Sequence, residues 1–205
     1  ASCLVGSEMC IRDRQKAFDT IDHDIFLKKL NCLGFSDTAI SWFKSYLEDR
    51  YFRVNIDNNL SDKARLTCGV PQGSILGPLI FLIYANDMPQ AVKCDLYLYA
   101  DDSCLVYTGK NIKLIEKELN ENFNSLCDWF VENKLSIHFG EDKTKSILFG
   151  TKRRLKDDPK IEICRKEIKI KQHKEVKYLG CLFDSNLSGR GMAIKVLNKI
   201  NLQKH

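Results

Sequence analysis

The sequence predicts an α+β domain in which an antiparallel sheet is covered on one face by helices. Two observations carry that expectation. Apolar residues recur at helical spacing in three or four places and alternate in strand fashion in several short ones, and the two kinds of segment do not follow each other in a regular βαβ rhythm. The chain is also 205 residues long with 44% apolar and 29% charged residues. That places it among ordinary globular proteins with one main domain and a trailing appendage.

The elements follow in order. Ile25, Phe26, Leu30 and Leu33 share a helical face, with Asp22 placed to cap the start and Gly34 at the stop. Ser36 caps a second helix whose stripe is Ala39, Ile40, Phe43 and Leu47. Tyr51 to Ile56 alternates, Asp57, Asn58 and Asn59 supply turn chemistry, and Ala64 to Thr67 returns as the second strand of a hairpin. Ile75 to Ala85 is the longest apolar stretch; it is too short to span a membrane and reads as a buried helix ending near Pro89. Asp95 to Tyr107 forms two short strands folded about Asp101 and Asp102. A long helix from about Asn111 to Asn133 places Ile112, Ile115, Leu119, Phe123, Leu126 and Phe130 on one side. Short strands are expected at 135–139, 146–149, 161–170 and 176–183.

Nine cysteines without a C-x-x-C pair, and four histidines scattered apart from them, argue against structural zinc and for a reduced intracellular setting. The N-terminus has no basic and apolar leader pattern. Net charge is +5, but residues 141–205 hold 17 basic against 8 acidic residues while the remainder holds 15 against 19. A basic C-terminal third beside a mildly acidic body suits a protein that holds cations in one place and a phosphate backbone in another; a solvated lysine-rich surface is the plainer alternative.

Adjacent carboxylates between two apolar strands repel each other, and a divalent cation relieves that repulsion. Mg²⁺ prefers carboxylate oxygens and leaves room for substrate phosphates. An isolated Asp-Asp pair is more often a polar turn. Here the flanking residues decide, because Tyr99-Ala100-Asp101-Asp102 resembles the aspartate box of reverse transcriptases. The stretch Gly69-Val70-Pro71-Gln72-Gly73-Ser74-Ile75-Leu76-Gly77-Pro78 resembles their second signature, in the form used by jockey-like, long interspersed, non-LTR retrotransposons. Glycines there permit positive φ, Ser74 is placed to cap the helix starting at Ile75, and Pro78 is tolerated in its first turn.

Lys16-Ala17-Phe18-Asp19-Thr20-Ile21-Asp22-His23 resembles the first polymerase motif of that group, which makes Asp13 the first metal-binding acid. The departure is that Arg12 and Arg14 flank Asp13, and residues 1–10 match nothing expected upstream. Asn133-Lys134-Leu135-Ser136 with Lys143-Thr144-Lys145 resembles the motif after the long palm helix, although Gly140 and Glu141 lengthen its spacing. Tyr178-Leu179-Gly180-Cys181 resembles the hairpin that grips the primer terminus.

The resemblance implies a right-hand polymerase palm over 13–187 with a partial fingers hairpin at 50–67. Residues 1–12 would be an atypical or truncated end and 188–205 the start of a thumb. It further implies an RNA-directed DNA polymerase. Two Mg²⁺ ions, replaceable by Mn²⁺, would be held by Asp13, Asp101 and Asp102, and Lys143 would protonate the leaving pyrophosphate. Phe18, Pro71, Gln72, Gly73 and Ala100 would meet the nucleotide and template, and Tyr178, Leu179 and Gly180 the primer. RNA template, DNA primer and dNTP are the implied partners, in a ribonucleoprotein of nucleus and cytoplasm, without a membrane. With fingers largely missing and an endonuclease region absent, the isolated chain is expected to polymerise weakly or not at all. The alternative is a catalytically silent nucleic-acid-binding remnant. A nucleotidyl cyclase lacks its glycine-glycine-acid signature here, and an RNA-dependent RNA polymerase is disfavoured by Ala100 and Phe18.

Overall fold

The structure is a computed structural model; it describes residues 18–71, 73–100, 102–140 and 143–194, and residues 5–11 by their backbone. The chain divides into two compact units, each described by itself: Ala1–Asp13 with Pro89–Asp128 and Ile137–His205, and Arg14–Met88 with Trp129–Ser136.

The first unit is built on a five-stranded sheet. Its strands are β1 (Val5–Ile11), β6 (Asp95–Tyr99), β7 (Asp102–Gly109), β8 (Thr144–Phe149) and β11 (Gln172–His173), in the order β11-β8-β1-β7-β6. The pairs from β8 to β6 are antiparallel, as expected, whereas β11 joins the edge in parallel to β8. The sequence reading assigned no strand to β1, yet it is the middle one. On β7, Ser103, Cys104 and Leu105 are all buried, so both faces of the sheet are covered. Cys104 and Ile147 form one small core with Val176 of β12 (Glu175–Tyr178), which pairs with β13 (Cys181–Asp184). The hairpin therefore covers one sheet face.

Helix α4 (Ile112–Glu132) buries Ile115, Leu119, Phe123, Leu126 and Phe130, the stripe expected from its period. Asn111 caps it, its Oδ1 accepting from the N–H of Lys113. The predicted strand at 161–170 is a tight hairpin, β9 (Ile163–Arg165) and β10 (Ile168–Ile170), while 135–139 forms no strand.

In the second unit α1 (His23–Cys32) and α2 (Asp37–Leu47) start where their caps were expected. Asp22 Oδ1 accepts from Ile25 N–H at 3.0 Å and Ser36 Oγ from Ala39 N–H at 3.3 Å. Phe26 and Phe43 meet edge to face at 5.5 Å, and Leu30 and Leu47 are buried with them. The hairpin pairs β2 (Tyr51–Phe52) with β5 (Ala64–Arg65) and β3 (Asn55–Ile56) with β4 (Asn59–Leu60). Asp57 and Asn58, both at positive φ, make its two-residue turn.

Helix α3 (Leu76–Ala85) differs from expectation in two ways. It buries Ile80, Phe81 and Tyr84 but exposes Leu79 and Leu82, and Ile75 ahead of it is exposed. Its cap position is Ile75, one residue later than expected, although Ser74 Oγ still accepts from Gly77 N–H at 2.9 Å. Lys29 fastens α1 to the end of α3. Its ammonium donates to Tyr84 O at 2.8 Å and Asp87 Oδ1 at 2.5 Å and lies about 5 Å from the ring centroids of Tyr84 and Trp129. Burial lowers its pKa despite Asp87. Tyr84 donates its hydroxyl to Asn133 O at 2.7 Å, and burial pushes the phenol up to about 12.

Candidate functional site

Tyr99 and Asp102 form the closing pair of β6 and β7, and Ala100 follows Tyr99 into the turn. A two-residue hairpin turn demands positive φ, and Ala100 adopts φ 49°. For a residue with a Cβ this costs roughly 1–2 kcal/mol, and such strain concentrates at functional sites. Asp102 is half-buried at the tip, while Ser103 next to it is fully buried. Asp101 lies outside the described residues.

The register shows what else reaches that end of the sheet. Ser103 pairs with Ile11, and Ile11 pairs with Thr144. Lys143, immediately before Thr144, therefore stands at the Asp102 end of the sheet, with β8 separated from β7 by two strand spacings, about 10 Å. The Lys143 N–H donates to Gly140 O at 2.9 Å. Asp13 lies outside the described residues.

Leu179 (φ 45°) and Gly180 (φ 83°) link the closing pair Tyr178 and Cys181 of the β12–β13 hairpin. Tyr178 packs against the Cys104, Ile147 and Val176 core. The tip thus projects, with Leu179 exposed, from a base anchored on the same sheet that carries Asp102.

In the second unit Phe18 and the glycine loop are joined through their backbones. Val70 N–H donates to Phe18 O at 2.8 Å and Gly69 N–H to Ile21 O at 2.7 Å. A Cβ on Gly69 would stand 2.6 Å from Asp19 O, and its φ is +81°. Only glycine allows so close an approach. The Phe18 ring lies 5.3 Å from that of Phe81, so the proposed sugar gate is also a packed aromatic. Pro71 lines a cavity of about 480 Å³ with Asp19, His23, Phe52, Cys68 and Val70. Gly73 sits at φ +81° with open space beside it. Gln72 lies outside the described residues.

Two residues without an assigned role hold this arrangement. His23 Nε2–H donates to Gly69 O at 2.8 Å, and Lys134 donates to Asp22 Oδ2 at 2.6 Å. Burial opposes ionisation of Asp22, but Lys134 and the Ile25 N–H outweigh it and keep the carboxyl below the usual range. Both residues stand inside the quoted motifs, and only their long-range partners were hidden from sequence.

Among the described residues no group of three or more His, Cys, Asp or Glu side chains is close enough to hold a metal ion. Asp102 is a hard oxygen donor of the right kind at an exposed tip, but it is a single ligand.

Comparison with known proteins accounts for this arrangement. The sequence profile described as reverse transcriptase (RNA-dependent DNA polymerase) matches residues 7–183, whereas the motif-based resemblance begins at Asp13. The chain is 32% identical over 184 residues to a probable RNA-directed DNA polymerase from transposon BS of Drosophila melanogaster, covering 86% of this chain and 20% of that protein. It is 34% identical over 152 residues to the probable RNA-directed DNA polymerase from transposon X-element of the same fly, covering 71% and 16%. It is 30% identical over 189 residues to the RNA-directed DNA polymerase from mobile element jockey of Drosophila funebris, covering 88% and 20%. The chain thus spans about a fifth of the length of these relatives. With a profile match over most of its length and the motifs in order, the chain belongs to the reverse transcriptase family, of the kind carried by non-LTR retrotransposons.

Proposed function

We propose that this chain is the palm of an RNA-directed DNA polymerase that extends a DNA primer on an RNA template. The observation that carries the reading is the tight β6–β7 turn at Ala100 and Asp102, in a chain whose relatives are named as polymerases of this kind. Reverse transcriptases generally use divalent metal ions. In this reading Asp101 and Asp102, with Asp13, hold two Mg²⁺ or Mn²⁺ ions. Ions held there would supply charge that acidifies the primer 3′-hydroxyl and offsets the triphosphate.

The chain's own residues do the rest. The primer 3′-hydroxyl gives its proton to solvent water as its oxygen attacks the α-phosphorus, and the bond to pyrophosphate breaks. Lys143 passes a proton from its ammonium to the leaving oxygen, a contribution on the order of a hundredfold. Phe18 crowds the sugar 2′ position and so excludes ribonucleotides. Pro71, Gln72 and Gly73 support the templating base and incoming nucleotide, with Ala100 against the same nucleotide. Tyr178, Leu179 and Gly180 hold the primer end. The basic C-terminal third holds template and primer through their phosphates, and the setting is a ribonucleoprotein of nucleus and cytoplasm.

Primer extension on an RNA template with Mg²⁺ and dNTPs tests this. Extension that disappears in Asp101→Asn supports the reading. Nucleic-acid binding without any extension, in this chain and in a longer one carrying the upstream and downstream regions, favours the silent remnant.

A further inference from the structure

The register of the sheet separates its two ends. Asp102 opens β7 and Gly109 closes it, seven residue steps or roughly 23 Å away. Phe149, at the end of β8, pairs with Gly6, which in turn pairs with Thr108, so the segments after Gly109 and after Phe149 leave the sheet together at the end opposite Asp102. Those segments carry Lys110 and the run Lys152, Arg153, Arg154 and Lys156, all exposed.

This is a built turn. Arg154 and Leu155 both donate their N–H to Thr151 O, at 2.9 and 3.0 Å. Leu155 packs against Gly150, and Arg154 Nη1 donates to Lys110 O at 3.3 Å. The leucine anchors the turn while the cations around it stay in solvent. Asp158 close by is occupied by Lys160 and Lys174, and among the described residues Lys152, Arg153 and Lys156 have no acidic partner. Next to them a cavity of about 280 Å³ is lined by Lys152, Leu155, Asp158, Gln172, Lys174 and Ser185, with the Lys174 ammonium already paired to the Asp158 carboxylate.

We propose that this turn and Lys110 form a second nucleic-acid contact, gripping a phosphate backbone at the end of the sheet remote from the Asp102 turn. It rests on the reading of the basic third as the phosphate-holding part of the chain and gives that role a place of its own. Five cations at one rim, none with an acidic partner among the described residues, match repeated phosphates.

The test is fluorescence anisotropy of this chain with single-stranded RNA and with DNA of the same sequence, across a salt series. Lys152→Glu with Lys156→Glu is compared with Lys28→Glu with Lys93→Glu, an equal change of charge at exposed positions elsewhere. The first pair should weaken binding about tenfold or more and flatten the salt slope by about 1.4, roughly 0.7 for each lost phosphate contact on a single strand. The control pair should do neither. RNA and DNA losing affinity alike, or RNA more, supports the contact and identifies the strand. Equal losses in both pairs, or none in either, overturn it, as does anionic-vesicle binding with the same dependence on Lys152 and Lys156. Lys152→Gln with Lys156→Gln, checked by circular dichroism, guards against a folding artefact. If the unsubstituted chain binds no nucleic acid, the phosphate-holding role of the basic third fails with it. If the chain binds but the first pair has no effect, only the second contact fails.

Discussion

The side-chain amide of Asn120 takes the place of a neighbouring strand for Cys164. Its Oδ1 accepts from Cys164 N–H at 2.9 Å, and its Nδ2 donates to Glu162 O at 2.6 Å. The same face of α4 continues the pattern at four-residue intervals. Glu116 Oε2 accepts from Glu162 N–H, Asn124 Nδ2 donates to Cys164 O, and Asp128 pairs with Arg165. A polar row on the helix thereby holds the β9–β10 hairpin through its backbone, where an apolar row could not.

Asn120→Leu should therefore leave the Cys164 N–H of β9 and the Glu162 carbonyl just before it without their partner and cost roughly 2–3 kcal/mol. Asn120→Asp keeps the acceptor and should cost less. Urea denaturation orders the variants, and amide exchange at Cys164 should accelerate in Asn120→Leu. Unchanged exchange there would show that Asn120 does not hold the hairpin.

Gly69 and Gly73 share a φ of +81° but not their surroundings. At Gly73 an added methyl meets open space, so Gly73→Ala should cost only the left-handed backbone penalty of about 1 kcal/mol. At Gly69 the methyl would also run into Asp19 O, and Gly69→Ala should cost clearly more. Thermal melts of the two variants compare them directly; equal losses would mean the close approach to Asp19 is not real.

Asp22 carries an acid-dependent part of the stability. Its folded pKa lies below its unfolded one, so its contribution is present above the unfolded value, about 3.9, and is lost as pH falls through the folded value. The stability of the native chain should drop on acidification below about pH 4. Asp22→Asn should be less stable at neutral pH and show a flatter acid limb, measured by chemical denaturation at stepped pH.

Phe18 packs on Phe81, so its replacement should act on stability and selectivity together. In the primer-extension assay Phe18→Val should raise ribonucleotide use relative to deoxynucleotide by about tenfold or more, the scale of a steric discrimination of 1–3 kcal/mol. A stability loss of about 1–3 kcal/mol with unchanged sugar selectivity would reduce Phe18 to a core residue.

Local signals carried α1, α2 and α4 because caps and apolar stripes are read within a few residues: Asp22, Ser36 and the row from Ile115 to Phe130 need no distant partner. The turn at Ala100 and Asp102 was legible for the same reason, two short strands with nothing between them but the tip. Tertiary structure alone decided the rest. Val5–Ile11 lacks an alternating pattern, and its place as the middle strand comes from pairing with residues about a hundred or more positions away. Lys143 gained its position at the Asp102 end of the sheet through that same strand, and His23 and Lys134 found Gly69 and Asp22 only when the chain closed. Short-range periodicity reports which way a residue faces; which residue it faces is set by loop closure and strand register, and neither is encoded within a local window.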